Sequence, residues 1–281
     1  MKRQIFTLIG TLVTVTLFAQ VPASKISLHK GQKIVVTTSV SIASNSMGLD
    51  ATSNSTSENL LEVKQATDKD YTISSILTKV KFSMEAPGSS TSYDSEKKSD
   101  QESETGKGMS EKLNKPVDVT IDNTSGSAIN SPKPQGKKED ATDANPMTSL
   151  FNMLGENSSD DIVVSGAFQL IPKGKKPGDS WADSTIEKDL KVRRTYNFKS
   201  NADTGALVQL KTVIESTGSM DMMGMSMEMN TNTETTSDIL LDPATGLVRK
   251  KSTEAHVTGS MQLMGQSVPV EANATTVSIY K

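Results

Sequence analysis

One stretch, residues 218–231, decides the fold: it reads Gly-Ser-Met-Asp-Met-Met-Gly-Met-Ser-Met-Glu-Met-Asn-Thr. Methionine alternates with polar residues on both sides of Met223-Gly224, and a period of two residues is typical of a β-strand. If Met223-Gly224 form a two-residue loop, Met222 faces Met225 across a hairpin and the polar residues fall on the opposite face. The predicted methionine face consists of Met220, Met222, Met225, Met227 and Met229.

The Met-Gly pair occurs twice more, as Met47-Gly48 and Met264-Gly265. Each of these pairs lies between two runs rich in Thr, Ser, Val and Ala. At the second, a two-residue loop places Met261 opposite Val268, so the apolar residues again share one face. Three hairpins of the same construction indicate a protein made of long antiparallel strands.

Of the 281 residues, 34% are hydrophobic and 4% aromatic. This lean supply of apolar side chains predicts thin sheets, much polar surface and a substantial disordered fraction. We therefore predict a mainly β fold: two related antiparallel meander or half-barrel-like modules, one or two short helices and a disordered insert. The predicted divisions are a signal peptide at 1–23, a first β module at 24–84, a low-complexity, largely mobile insert at 85–161 with a short hairpin at 116–129 and a short helix at 146–154, and a second β module at 162–281.

Turn signals and alternating runs locate several elements within these divisions. The polar residues 66–70 predict a turn, and so do residues 241–247, where Pro presets its φ and Gly accepts a left-handed conformation. Residues 162–170 and 275–280 are predicted as strands, the second of them closing the sheet. Residues 108–113 are predicted as a short helix.

The N-terminus has the pattern of a secretory signal peptide. Basic residues at positions 2 and 3 precede an apolar run over residues 5–18, and cleavage after either Ala19 or Ala23 fits the pattern. An uncleaved membrane anchor is the alternative, although the run is short for a spanning helix. Since the chain contains no cysteine, a lipid anchor on cysteine and a disulfide framework are both excluded. We expect a secreted bacterial protein of the periplasm or cell exterior, with no transmembrane segment after cleavage.

The sequence contains no recognisable catalytic motif. His29 and His256 are its only histidines, and the Gly-x-Ser-x-Gly elbow, the phosphate-binding loop, the zinc-binding helix and the dinucleotide fingerprint are all missing. Paired carboxylates for glycoside hydrolysis stay open, because their separation depends on the fold. The net charge of −3 does not indicate a nucleic-acid partner. Four aspartates lack the spacing of a calcium loop and are interpreted as solvated linker charges: Asp140, Asp143, Asp160 and Asp161. We predict no enzymatic activity and no cofactor.

The methionine face admits three interpretations. Flexible thioethers fill irregular apolar contacts and adapt to varied ligands, so the face is either ordinary core or a surface for a lipid-like ligand or an envelope protein. Soft sulfur ligands also select Cu(I), which makes the same methionines, Met220 to Met229, an alternative metal site. The helix predicted at 146–154 has an apolar face whose favoured role is docking on the protein's own sheet. We predict a non-enzymatic binding protein with an apolar sheet face, the alternatives being a structural protein of the cell surface without ligand and a Cu(I)-binding protein.

Several short motifs together carry a resemblance. They are the signal peptide, Gly31-Gln32, Tyr93-Asp94-Ser95, the hairpin at 116–128, Pro177-Gly178-Asp179-Ser180-Trp181 and Asp242-Pro243-Ala244-Thr245-Gly246-Leu247. In these motifs the chain resembles an uncharacterised family of secreted bacterial β-rich proteins, classed as a domain of unknown function. The resemblance implies no activity and supplies no site residues. At the level of the fold alone, the long hairpins are similar to periplasmic half-barrel carriers of lipoproteins or lipids.

Overall fold

The computed structural model describes residues 23–46, 48–130, 160–222, 225–263 and 266–281. The predicted signal peptide, apart from its last residue, and the helix predicted at 146–154 therefore lie outside the described residues. The division of the chain into two modules and an insert stays a prediction.

The described residues form twelve strands and three short helices. The strands are β1 (Lys33–Ser46), β2 (Leu49–Ala66), β3 (Asp70–Ala86), β4 (Ser89–Asp94), β5 (Pro116–Asp122), β6 (Ala128–Asn130), β7 (Ser180–Glu187), β8 (Leu190–Ala202), β9 (Gly205–Met222), β10 (Met225–Leu241), β11 (Val248–Leu263) and β12 (Gln266–Tyr280). The helices are α1 (Lys98–Gln101), α2 (Glu104–Ser110) and α3 (Asp160–Ser165). No helix in the described ranges has the length and apolar character needed to cross a membrane.

All twelve strands belong to one antiparallel sheet, which confirms the mainly β prediction. The strand order is β6-β5-β3-β2-β1-β12-β11-β10-β9-β8-β7, and β4 pairs with β3 beside this path. The predicted C-terminal strand exists within β12, but it lies in the middle of the sheet, between β1 and β11, instead of closing an edge. This position follows from strand pairing. Strand β1 pairs with β2 on one side and with β12 on the other, so β12 connects the strands β1 to β6 with the strands β7 to β11.

The registers predicted for two of the Met-Gly hairpins are confirmed, and the hairpin at Met47-Gly48 also forms, with Ser46 paired to Leu49. Met225 pairs with Met222, and Met227 pairs with Met220. In the hairpin between β11 and β12, Met261 pairs with Val268. The predicted turns after β2 and β10 also form, and Gly246 of the second turn has a positive φ, the left-handed conformation that glycine accepts without strain.

The strand predicted at 162–170 is wrong, because its first residues form helix α3. A short apolar run does not by itself distinguish a strand from a buried helical turn. Here Asp160 and Asp161 occupy the first turn, where carboxylates interact favourably with the helix dipole, and Val164 is fully buried. The Ser165 hydroxyl donates to the Asp161 carbonyl at 2.6 Å. Only Phe168 retains strand character, in an isolated bridge to Leu247.

Residues 85–130 contain more structure than the sequence predicts. The hairpin predicted at 116–129 is present as β5 and β6, and it extends the sheet from β3. The helix predicted at 108–113 begins earlier, at Glu104, because Ser103 caps it by accepting a hydrogen bond from the Gly106 amide at 3.0 Å. Strand β4 and helix α1 have no counterpart in the prediction.

The sheet is strongly curled towards one face, which we call the inner face; it carries Ile34, Val36 and Ile42 of β1. The adjacent residues Ile26 and Ser27 donate hydrogen bonds to Asn123 beyond β5 and to Thr245 before β11, at 2.7 and 3.1 Å. In a flat sheet the five strand spacings between β5 and β11 would hold these strands roughly 24 Å apart. Only a curled sheet brings the two acceptors within reach of neighbouring amides, so the inner face is concave.

Candidate functional site

The inner face has two halves with different side chains. The base half, next to the turns after β2 and β10, holds the main hydrophobic core, which includes Ile73, Phe198 and Ile239, each at most 2% exposed. The N-terminal residue Ile26 and Val164 of α3 cover this half and belong to the same core. Large apolar side chains therefore fill the concave face at its base.

In the tip half, next to the Met-Gly hairpins, the inner positions carry small side chains. A separate cluster of Ile42, Ala51 and Ala274 lies there, with the partly buried Val40 and Ala255 packed against it. Other inner positions of the tip half are occupied by Ser44, Ser53, Thr231, Val257, Gly259 and Ala272. Although alanine, serine and glycine extend only a short distance from the backbone, most of these positions are buried within the chain: Val257 is 0% exposed and Thr231 is 9% exposed.

A single cation lies between the two halves. By register, Lys251 of β11 is an inner residue opposite Ile239 of β10 and Ser278 of β12. Among the described inner positions of β1, β2 and β9 to β12, it is the one charged residue. Its ammonium has no hydrogen-bond or ion-pair partner among the described residues. Burial lowers the pKa of Lys251, because an apolar environment disfavours the charged form.

Hydroxyl groups surround this lysine on the same face. Thr38 and Ser278 share a hydrogen bond of 3.0 Å, and Ser237 and Thr253 share one of 2.8 Å. Tyr280 lies at the base side, where burial raises its pKa to about 12. The hydroxyls of Thr38, Ser237, Thr253, Ser278 and Tyr280, together with Lys251, form a polar region, which we call the polar belt, and inner hydroxyls continue beyond it at Ser57, Thr235 and Thr276.

The methionine face is only partly described. The backbone pairs of Met220, Met222, Met225 and Met227 are those predicted, but their side chains lie outside the described residues. Met229 is half-buried and is paired with Gly218 and with Met261, which is 7% exposed. Gly218 is exposed, and a Cβ built on it would meet no described atom within 4 Å. The inner face beside Met229 is therefore accessible at this position.

Sequence reasoning did not identify Lys251, although a signal was present. Along β11 the inner residues are Lys251, Thr253, Ala255, Val257, Gly259 and Met261, and they alternate with outer residues, most of which are polar. Extending the period-two pattern back from Met261 would have placed the lysine on the methionine side. Two histidines, in contrast, carry no site: His29 is exposed, and His256 is an exposed outer residue bonded to Asn273 at 2.8 Å.

A cavity of about 390 Å³ lies over β1 to β4 and β12. Its lining combines hydroxyl and amide side chains with the apolar residues Val40, Phe82 and Val277. Lys81 and Asp94 in this lining form a 3.5 Å ion pair. The inner face, which carries Lys251 and the polar belt, is the stronger candidate.

The solved structures that are similar to this one include lipovitellin and an outer membrane channel. Lipovitellin, in a structure that concerns its lipid–protein interactions, matches with a TM-score of 0.50 and 13% identity over 91% of this chain. The match covers 25% of the lipovitellin chain, so the present chain spans about a quarter of its length. An outer membrane channel from Pseudomonas putida F1 matches with a TM-score of 0.36 and 10% identity, covering 92% of this chain and 99% of the channel. At such identities the likeness concerns the fold alone.

Comparison of the sequence with curated proteins gives no match. A family model matches residues 68–248, from the turn before β3 to the first residue of β11. This range includes the hairpin of β5 and β6, the edge strand β7 with its neighbour β8, and the methionine hairpin. The chain belongs to the family of unknown function DUF6263.

Proposed function

We propose that this protein is a non-enzymatic binding protein of the bacterial periplasm or cell envelope, and that it holds a lipid-like ligand on the tip half of its inner face. One observation carries the proposal. The same concave face changes from large side chains at the base, represented by Phe198, to alanine and serine at the tip, represented by Ala274 and Ser44. An apolar molecule lying on this part of the face would bury its own surface and that of the half-buried residues Val40 and Ala255.

The energetics favour an apolar ligand. Burial of apolar surface contributes roughly 25 cal/mol per Å², so a chain of several methylene groups gains several kcal/mol from such a surface. Ligand sites are typically concave and mostly apolar, with few polar groups that fix orientation. The fold-level likeness to lipovitellin, whose structure concerns lipid–protein interactions, supports the same class of ligand. The signal-peptide pattern at the N-terminus supports the proposed compartment.

Two valines of β1 provide a matched test. Val40 is half-buried on the inner face, whereas Val35 lies on the outer face and is 36% exposed. The full chain, the Val40→Lys variant and the Val35→Lys variant are titrated with N-phenyl-1-naphthylamine, a neutral dye that fluoresces in apolar surroundings. We expect saturable binding by the unaltered protein and a loss of about tenfold or more in affinity, ~1.4 kcal/mol, for Val40→Lys alone.

Native mass spectrometry of the protein, purified without detergent from its own host, provides the independent measurement. A co-purified lipid of defined mass supports the proposal. A lipid-free protein that also gives no saturable dye signal would contradict it, and so would equal effects of the two substitutions.

A further inference from the structure

We propose that two copies of this chain associate through strand β7, edge to edge and antiparallel, about a two-fold axis at Ser184. This pairing joins the two sheets into one continuous sheet across the dimer. Three features of β7 support the interface: a free edge, an exposed isoleucine on that edge, and a register in which the strand is complementary to itself.

Strand β7 ends the sheet, and no described strand pairs with its free edge. Along a strand, the N–H and C=O groups of successive residues point alternately to the two neighbouring strands. The Asp179 carbonyl accepts from the Phe198 amide of β8 at 2.9 Å, whereas the Ser180 carbonyl accepts from the Lys175 ammonium at 2.7 Å. By this alternation, the odd-numbered residues of β7 bond to β8. The backbone groups of three even-numbered residues therefore point to the free edge: Ala182, Ser184 and Ile186.

The edge of β7 lacks the features that usually prevent pairing with another chain. Natural edge strands are protected by short length, by proline or lysine, or by a β-bulge. Strand β7 has eight residues, contains neither proline nor lysine, and pairs with β8 without a register shift. At the opposite end of the sheet, β6 has three residues and is protected by its length. Strand β7 is therefore the better template for a further strand.

Ile186 gives this edge an apolar contact. Trp181 and Tyr196 pack against the main core on the inner face, so the even-numbered residues of β7 lie on the outer face. There Ile186 is 76% exposed, more than the other large hydrophobic residues described, and Ala182 is exposed on the same face. A single exposed isoleucine is ordinary on a protein surface, but this one lies beside unpaired backbone groups. A second strand would cover it and gain the free energy of burying apolar surface.

The charges of β7 select one register. In an antiparallel pair, residues that lie directly opposite share a face, and like charges opposite each other are destabilising. With Ser184 opposite its own copy, Ala182 lies opposite Ile186 of the second copy, and neither Asp183 nor Glu187 faces a carboxylate. Moving the axis by one residue in either direction sets a carboxylate opposite a carboxylate. The axis at Ser184 also makes the free backbone groups of the two copies meet, in an interface formed by the same surface of both copies.

The first experiment measures association. Sedimentation velocity is recorded on the protein purified from its own host, over a dilution series from about 100 to about 1 µM, a range that resolves micromolar dissociation constants. Ile186→Lys is compared with Ile129→Lys, which changes an isoleucine that is 52% exposed on the opposite edge strand, β6. We expect a reversible dimer, a dissociation constant at least about tenfold higher for Ile186→Lys, and one within about twofold of the unaltered value for Ile129→Lys.

The second experiment tests the register with single cysteines, because the chain has no cysteine of its own. In the proposed register, the two copies of residue 184 are directly opposite, with Cα atoms about 5.5 Å apart, within the range of a disulfide. The two copies of residue 182 are offset by four residues, which separates them by about 14 Å. Under mild oxidation, Ser184→Cys should form a covalent dimer that a reductant reverses, and Ala182→Cys should stay monomeric on a denaturing gel.

Three results would overturn the interface. The first is a protein that stays monomeric throughout the dilution series. The second is an equal loss of association in Ile186→Lys and Ile129→Lys, which would indicate pairing between unlike edges and open-ended assembly. The third is cross-linking of Ala182→Cys as efficient as that of Ser184→Cys, which would contradict the axis at Ser184. Because the substituted residues are exposed, circular dichroism should show unchanged folding in all four variants.

Discussion

The two halves of the inner face belong to the same strands yet differ in composition. Strand β1 places Ile34 and Val36 in the base half and Ser44 in the tip half, and β12 places Tyr280 at one end and Ala272 at the other. The base half is covered by chain segments that bond both wings of the curled sheet. Both halves are buried, since Val257 and Ala272 of the tip half are at most 1% exposed, but the side chains buried at the base are larger. Because the free energy gained on burial grows with the apolar surface buried, we expect the base to contribute more to stability than the tip.

The largest effect is expected from deleting a large side chain at the base. Phe198 is 1% exposed within the main core. Phe198→Ala should lower the free energy of unfolding by about 3–5 kcal/mol, because it removes buried surface and leaves a cavity. Val40→Ala in the tip half removes fewer atoms from a half-buried position and should lower it by less than about 1.5 kcal/mol. Urea denaturation followed by circular dichroism measures both. Equal losses would show that the tip half is packed as tightly as the base.

At the boundary between the halves, a substitution at Lys251 should increase stability. The Lys251 ammonium is partly buried and has no partner among the described residues, so Lys251→Met should raise the free energy of unfolding by about 1–3 kcal/mol. Lys250→Met, on the exposed outer face, should change this free energy by less than about 0.5 kcal/mol. A protein destabilised by Lys251→Met would instead indicate that the lysine contributes to the fold.

The lowered pKa of Lys251 also predicts how the free energy of unfolding changes with pH. Because the pKa of folded Lys251 is lowered, the unfolded chain binds more protons between that pKa and the ordinary value of 10.5, and stability rises with pH across this interval. Tyr280 on the same face acts later: its pKa is raised to about 12, so the stability it contributes is lost only above about pH 10. Urea titrations below about pH 10 should therefore show the rise in the unaltered protein and its loss in Lys251→Met.

The local sequence pattern was sufficient to predict the register of the hairpins. A two-residue Met-Gly loop and a period of two residues fix which residues face each other, so the pairing of Met222 with Met225 follows from the sequence. The turn at Gly246 follows for a similar reason, since its positive φ suits glycine. These features depend on interactions between residues that are close in the chain.

Features that depend on distant contacts could not be predicted in this way. The apolar run of helix α3 suits a strand equally well, and its position over β3, β5 and β6 decides the outcome. The central place of β12 depends on its pairing with β1, the first strand of the chain, whereas β12 is the last. Lys251 was missed for the same reason, since its isolation among uncharged inner residues becomes visible only when six strands are aligned.

The smallest effect is expected from the methionine hairpin, and it decides between two uses of the tip half. Replacing Met220, Met222, Met225, Met227 and Met229 together by Leu keeps apolar volume nearly constant, so stability should change by less than about 1.5 kcal/mol. Affinity for N-phenyl-1-naphthylamine should also change little, by about threefold at most, because thioether side chains are exchanged for equally apolar ones. Cu(I), which prefers soft sulfur ligands, would lose its site in this variant. Titration of both proteins with Cu(I) under reducing conditions makes the comparison. Tight binding by the unaltered protein that disappears in the leucine variant, with dye affinity unaffected, would assign the hairpin to metal and leave the apolar ligand to the rest of the inner face.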